Sequence, residues 1–542
     1  MKCNPQNFER NLFLKSSDTD TAQLICDAIQ FADRHPEILT RILDDQVSHG
    51  LAKKRRRLED DAFNRRQRAK KEIPLPGMAD RLPGGDGGLP LDDDLVLQQG
   101  RNRIPPLLVF ILLILRGFYG SVTDRTSLDR IGESCTLQIV MGYFGWRVPR
   151  RSSISENLNC ISEETLDFIL KRQLEHAYKL DLDDYLEITV DSTASNADMA
   201  FPADTSLVSI SACRLWQILG ALGDRGVIEF APGACAERWL RKVRNTSSAI
   251  SMTACKSGTL YRRRVRELAD AASKLSGKLE PYVLQLNERV RGGDHGDMLA
   301  HAWRAFVKLA GMADRNLTAL HHSIGQTAAR VLQKRKLKPY EKYLGPADPD
   351  AKIIVKGERN PVIGYHPQLV RSGGGLVTCV LLDPGTTSDA ASLIPTLKQS
   401  IENTGVVPQT LSTDDGYTSA DNLEKARRLG VRDVSFSGSK GRKLYDEEEW
   451  NSLAMRDLRK NRSAVESLIF TLKHNHEFDR MKRTGLQAVR AEMLEKALAY
   501  NFRRIRALRT MMADERKNPA PGENGGAPPA AKECANARAA WA

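Results

Sequence analysis

Two aspartates and a glutamate are placed by their neighbours where they could do chemistry together. Asp191 ends the run YLEITVDST at 185–193, whose Ile188, Thr189 and Val190 are strand formers. Asp414 follows a second such run, VVPQTLSTDDGY at 406–417. In α/β sheets functional groups gather at the carboxyl ends of strands. Two carboxylates brought together there repel each other unless a cation or a proton intervenes, and hard oxygen ligands of this kind suit Mg²⁺ or Mn²⁺. The third acid, Glu466, lies in NRSAVESLIFTLK at 461–473. At about 100° per residue, Arg462 lies about 40° from Glu466 on a helix and Lys473 about 20° from it. All three therefore share one face. An acid between two cations on one stripe can hold a metal while its neighbours hold phosphates. The same spacing also makes a surface ion-pair ladder, and spacing alone leaves both readings open.

The elements that must position these acids read as a mixed α/β domain. Its first strand is 185–191. Strand-type runs follow at 351–357, 361–370 and 375–383, the last two separated by Ser372, Gly373 and Gly374, which suggests an antiparallel meander. The Gly373 to Gly375 run has no GK[ST] after it and reads as a hairpin turn rather than a phosphate loop. SLIPTLKQSIENTG at 392–405 is a helix closed by Gly405, and 419–430 is another, with Ser419 as N-cap and Gly430 as stop. VRDVSFSG at 431–438 is a short strand, and 446–512 is helical. The stretch 210–345 is helical, rich in Arg and Lys, and interrupts the α/β pattern. Its Trp216 and Trp303 are core residues on the simpler reading; stacking on displaced bases is the alternative.

Residues 1–50 carry apolar positions at helical spacing. They lead into KKRRRLEDDAFNRRQRAKK at 53–71, a run able to lie along a phosphate backbone or to form a solvated helix face or loose arm. The Pro/Gly/Asp-rich stretch 73–94 reads as a linker. In 95–180 an apolar helix spans 107–120, and 152–177 reads as helix, turn, helix, with Ser162 ahead of Glu163 and Glu164 at a helix start. Such units bind DNA in many proteins and are plain hairpins in more. Residues 513–542 read as a disordered tail.

The 542 residues carry a formal net charge of +13, which favours polyanionic partners through phosphate neutralisation. The nine cysteines form no CxxC pair; a dispersed odd set argues against a disulfide framework or a structural zinc site. The N-terminus lacks a signal-type apolar core, and the longest apolar run, 104–115, is shorter than the roughly 20 residues a span requires. We therefore expect a cytoplasmic, nucleoid-associated protein with no membrane partner. No Walker motif appears, so no nucleotide cofactor is expected.

The acidic motifs resemble those of DDE-type transposases of bacterial insertion sequences, especially the ISNCY-like group with the YREK signature. The likeness rests on Asp191-Ser192-Thr193 followed by FPADTSLV at 201–208. It rests further on Asp414-Asp415-Gly416-Tyr417 in a DxGY setting, and on Arg462, Glu466 and Lys473 at the spacing R-x3-E-x6-K. The closing helix GLQAVRAEMLEKALAYNFRRI at 485–505 is similar to that family's final helix. Arg459 stands where the signature has Tyr, and Asn196 and Asp198 where relatives carry Glu and Asn. The DxGY register favours Asp414 over Asp415. Asp446, Glu447, Glu448 and Glu449 are rival third acids that lack the Arg and Lys stripe and read as a solvated helix start.

The resemblance implies an α/β RNase H-like catalytic core interrupted by a long helical insertion, with a helical N-terminal DNA-binding region. The divisions expected are 1–72, a helical segment with a basic arm; 73–94, a linker; 95–180, a helical DNA-binding domain; 181–209 and 346–512, the two parts of the core; 210–345, the insertion; and 513–542, the tail. It implies metal-dependent cleavage and strand transfer of DNA, with Asp191, Asp414 and Glu466 holding two Mg²⁺ or Mn²⁺ ions and Arg462 and Lys473 on phosphates. The partners implied are the element's terminal inverted repeats, target DNA and a second copy of the chain. The alternatives are a catalytically inactive DNA-binding descendant or a nuclease of the same fold.

Overall fold

The computed structural model describes residues 19–71, 104–120, 129, 134–147, 149–199, 204–253, 258–338, 341–345, 347–355, 361–383 and 388–517. The chain forms two compact units. The first comprises Met1–Gln46, Asn102–Asp198 and Ile354–Ala542; the second comprises Val47–Arg101 and Met199–Ile353.

The chain begins with α1 (Thr19–Arg34) and α2 (Glu37–Lys71), separated at Pro36. Next come α3 (Pro106–Tyr119), α4 (Cys135–Tyr143), α5 (Arg151–Asn159) and α6 (Glu163–Lys179). The strands β1 (Glu187–Ser192) and β2 (Ser195–Asn196) lead to the helices of the second unit, α7 (Asp204–Gly223), α8 (Gly233–Thr253), α9 (Gly258–Arg291) and α10 (Ala300–Thr327). The strands β3 (Lys352–Ile354), β4 (Val362–Tyr365), β5 (Gln368–Ser372) and β6 (Val377–Leu381) follow, then α11 (Asp389–Thr404) and β7 (Thr410–Asp414). A 3-10 turn at Asp415–Tyr417 precedes α12 (Ala420–Arg428), β8 (Asp433–Ser437) and α13 (Ser439–Arg442). The chain closes with α14 (Glu447–Asn451), α15 (Leu453–Asn461), α16 (Ser463–Asn475) and α17 (Leu486–Lys517).

In the first unit the main sheet has the order β6-β5-β1-β7-β8. β1 runs antiparallel to β5 and parallel to β7, and β8 continues parallel beyond β7. Alternate residues of a strand face opposite ways. Ile188, Val190, Leu411 and Val434 therefore pack with Leu393 and Leu397 of α11, while Ser412 on the other face donates to the Leu458 carbonyl of α15 at 2.9 Å. The run 361–370, expected as one strand, is two. It breaks at His366-Pro367, so that β4 leaves the main sheet and pairs with β2 (Ser195↔Tyr365), while β5 pairs with β1. A proline cannot donate to a ladder, and the Pro367 carbonyl is taken by the Thr193 amide at 3.1 Å.

The apolar helix expected at 107–120 is α3. It starts with proline in its first turn and ends on Gly120 at φ 69°, in the left-handed region that glycine tolerates. Apolar on nearly every side, it must be enclosed, and it packs against α1 and α17. Gly117 allows the closest approach: a Cβ there would stand 2.0 Å from the Glu495 carbonyl oxygen. Residues 102–198 group with the sheet in the first unit rather than forming a compact unit of their own. The helix-turn-helix reading of 152–177 is right in its elements. However, α6 buries Leu166, Ile169, Leu170 and Leu174, and its Glu163 and Asp167 bind Arg490 of α17 at 2.8 and 2.9 Å.

The second unit is helical. Leu215 and Leu219 of α7, Leu268 and Leu275 of α9 and Phe306 and Leu320 of α10 share one buried cluster. Trp216 and Trp303 pack against it, Trp216 edge-on to Phe230 at 5.3 Å and Trp303 on Phe306 at 5.2 Å. α7 is the described helix long and apolar enough to cross a bilayer, and its Leu215 and Leu219 lie inside this cluster. The basic run 53–71 is the second half of α2 and is no loose arm. Asp60 pairs with Arg304, the Asn64 side chain accepts from the Ala300 amide at 2.8 Å, and Phe63 meets the His295 ring at 4.5 Å. The expected linker 73–94 and most of the tail lie outside the described residues; α17 runs on to Lys517.

Candidate active site

Asp191 and Asp414 come together at the carboxyl ends of adjacent parallel strands. The β1–β7 ladder pairs Thr189 with Ser412 and Val190 with Thr413, and one further step in that register sets Asp191 beside Asp414. Both continue the row that contains Ser412, so both point to the side of the sheet covered by α15 and α16. Asp414 ends its strand by taking the Gly416 amide on its carboxylate at 2.9 Å.

Glu466 lies on α16, which packs along β1. Asn461, just before this helix, donates to Glu187 at the start of β1 at 3.0 Å, and Lys473 near its end donates to the Ala194 carbonyl beyond β1 at 2.9 Å. The helix thus runs in the direction of β1, with Glu466 between these two anchors. Its carboxylate pairs with Arg462 at 2.5 Å, and its side chain is 56% exposed. The structure therefore brings two of the three acids together and puts the third on the flanking helix. Among the described residues no group of three or more His, Cys, Asp and Glu is close enough to hold a metal ion. As a donor set, the two strand-end carboxylates suit a hard divalent cation.

The competing acids have other work. Asp415 accepts from the Gly441 amide at 2.9 Å and the Lys440 amide at 3.1 Å, so it caps α13. Slight burial pushes its pKa up, but these amides and the Thr418 hydroxyl outweigh that and hold it below the usual carboxylate range. Asp446 caps α14 through the Glu449 amide at 2.7 Å, and Glu449 pairs with Arg427 at 2.6 Å. Arg459, where the signature has Tyr, stacks on Trp450 with its guanidinium carbon 4.1 Å from the ring centre. Asn196 and Asp198 hold the segment after α16: Asn196 donates to the Asp479 carbonyl at 3.0 Å, and Asp198 pairs with Arg480 at 2.7 Å.

Other residues of the site went unnoticed in the sequence. Asp389, in the first turn of α11, brings its carboxylate to the same glycine as Asp414. A Cβ on Gly416 would stand 3.0 Å from Asp414 Oδ1 and 3.2 Å from Asp389 Oδ2. Asp389 accepts from the Gln368 side-chain amide at 3.1 Å and lies 3.7 Å from His366 Nε2. The fully buried Tyr417 donates its hydroxyl to the Gln368 carbonyl oxygen. Burial pushes the Tyr417 hydroxyl well above its ordinary pKa, and the negative charges of Asp389, Asp191 and Asp414 push it further. Tyr417 was visible as the last letter of DxGY. Asp389, next to a Ser388 N-cap, looked like any helix-start acid.

A buried ion network braces this site from below. Glu495 of α17 takes Arg116 Nε at 2.8 Å and Arg483 at 2.8 Å. Glu492 takes the Lys482 and Arg483 amides at 3.0 and 2.9 Å and the Lys496 ammonium at 2.8 Å. The segment fixed in this way forms backbone bonds with β2: Asn196 donates to the Asp479 carbonyl at 2.7 Å, and Met481 donates to the Asn196 carbonyl at 2.8 Å.

Residues 353–502 match the family model described as the Transposase DDE domain. The matched stretch contains Asp389, Asp414, Arg462, Glu466 and Lys473; Asp191 precedes it. No curated protein and no solved structure matches the chain. The match supports a transposase-type function in general. An RNase H-like fold, which such a domain implies, is consistent with the mixed β6-β5-β1-β7-β8 sheet.

Proposed function

We propose that this protein is an insertion-sequence transposase of the YREK-signature, ISNCY-like group that cleaves DNA at its element's ends and joins them to a target. The observation that carries the reading is that β1 and β7 run parallel and in register up to Val190 and Thr413, one residue before Asp191 and Asp414, in a chain whose 353–502 segment matches a transposase domain. Asp191, Asp414 and Glu466 would hold two Mg²⁺ or Mn²⁺ ions. When bound, such ions lower the pKa of a water or a 3′-hydroxyl and stabilise the leaving oxygen.

The chain's own residues set the conditions for this chemistry. Asp191 and Asp414 present hard oxygens from rigid strand ends. Glu466 must leave Arg462 to join them, and that step is cheap, because an ion pair this exposed is worth about 1 kcal/mol or less. The separated Arg462 would then serve as a donor for a backbone phosphate. Lys473, held on the Ala194 carbonyl, ties α16 to the turn that follows Asp191 and would help to position a phosphate there. Joining two DNA ends requires two copies of the site, so the active form is a homodimer on double-stranded DNA.

The test is cleavage of a DNA fragment carrying the element's own end, with Mg²⁺, Mn²⁺ or EDTA, against Asp191→Ala. Metal-dependent cutting at the boundary that the variant lacks supports the reading. Salt-sensitive binding without cutting refutes it in favour of a DNA-binding descendant.

A further inference from the structure

The parallel ladder between β1 and β7 extends as far as Val190 and Thr413, one residue short of the two acids. Two carboxylates placed side by side beyond that point repel each other and act to splay the strand ends. On the opposite face of the sheet, hydrogen bonds connect the same two chain ends. Ser192, next to Asp191, hydrogen-bonds to the hydroxyl of Tyr417, three residues after Asp414. Tyr417 donates in turn to the carbonyl oxygen of Gln368, which faces Ser192 across the β1–β5 pairing. Gln368 gives its amide nitrogen to Asp389 at 3.1 Å.

One charge sets the direction of this chain. An ionised carboxylate only accepts hydrogen bonds, so Asp389 requires the NH₂ end of Gln368 and turns the carbonyl end toward Tyr417. Tyr417 must then donate to Gln368, and its oxygen is left to accept from Ser192. Gln368 is 1% exposed, Ser192 4% and Tyr417 0%, so water does not compete for these bonds.

We propose that Asp389, Gln368 and Tyr417 are positioning residues whose relay to Ser192 holds the strand ends of Asp191 and Asp414 together against their mutual repulsion. The proposal rests on the metal-binding reading above and adds three residues to it. Groups that orient metal ligands without touching the metal typically change its affinity about 10–100-fold when lost.

The experiment measures Mn²⁺ binding to the full-length protein, by the loss of the free Mn²⁺ electron paramagnetic resonance signal, alongside thermal unfolding. Tyr417→Phe keeps the buried ring and removes only the hydroxyl; it should weaken Mn²⁺ binding about tenfold. Gln368→Glu sets a carboxylate against Asp389 and should weaken it at least as much. Adding Asp389→Asn to Gln368→Glu restores a donor facing an acceptor, and should recover affinity to within about threefold of the unchanged protein. Unaltered affinity in Tyr417→Phe, or a double variant no better than Gln368→Glu alone, overturns the relay while the metal site stands. Absence of Mn²⁺ binding in the unchanged protein overturns the metal reading and the relay with it, a result distinct from either of those.

Discussion

Replacing Glu495 by glutamine tests whether the buried ion network braces the site. The carboxylate is 1% exposed and receives Arg116, itself 2% exposed, and Arg483, 17% exposed. Removing one partner of a buried pair costs about 3–5 kcal/mol, because the remaining charge stays desolvated and unpaired. Glutamine keeps one acceptor oxygen, which puts the expectation at the lower end, about 3 kcal/mol. For a unit of this size that corresponds to a fall in unfolding temperature of about 4–6 °C. Differential scanning calorimetry should show the transition of the first unit moving while that of the helical second unit stays.

The pH dependence supplies a second check. Full burial pushes the Glu495 carboxyl up, but Arg116 and Arg483 outweigh it and hold the group below the usual carboxylate range. A depressed folded pKa means the contribution is complete above the unfolded value of about 4.3 and fades as pH falls through the folded pKa. The gap between the unchanged protein and Glu495→Gln should therefore be full at pH 7 and shrink only below about pH 4.3. A shift under about 2 °C at pH 7 would refute the argument, since it would mean the Arg116 charge finds solvent or another partner.

Other changes separate the roles further. Gly117→Ala forces a Cβ to within 2.0 Å of the Glu495 carbonyl oxygen, so α3 and α17 must move apart. It should destabilise by about 3 kcal/mol or more, read by urea unfolding, and a tolerated variant would deny that close contact. Asp415→Ala removes the α13 cap and should lower stability by about 1 kcal/mol while Mn²⁺ binding stays unchanged. Asp414→Ala should abolish Mn²⁺ binding, and the reverse pattern would move the site to Asp415. Arg462→Ala breaks only an exposed pair and should change stability by less than about 1 kcal/mol, yet slow DNA cleavage about tenfold or more. Equal cleavage by the variant would remove Arg462 from the phosphate role.

Local pattern was enough to locate much of this protein. Strand propensity ending in an acid marks β1 and β7, and the helix stops at Gly405 and Gly430 were readable because a glycine past a last helical turn has few other uses. The i, i+4, i+11 spacing of Arg462, Glu466 and Lys473 put them on one helical face because that geometry is a property of the helix alone. The tertiary structure decided which acids meet. Register between β1 and β7 sets Asp191 beside Asp414, and register is set by packing of both sheet faces rather than by either strand. It turned Asp415 away to cap a helix 25 residues on, and it joined Gln368 to Asp389, 21 residues away in sequence, and to Tyr417, 49 residues away. It also enclosed α3 in the core of the first unit and packed the basic half of α2 on a helical unit. Those outcomes depend on partners distant in the chain, and no window of sequence contains them.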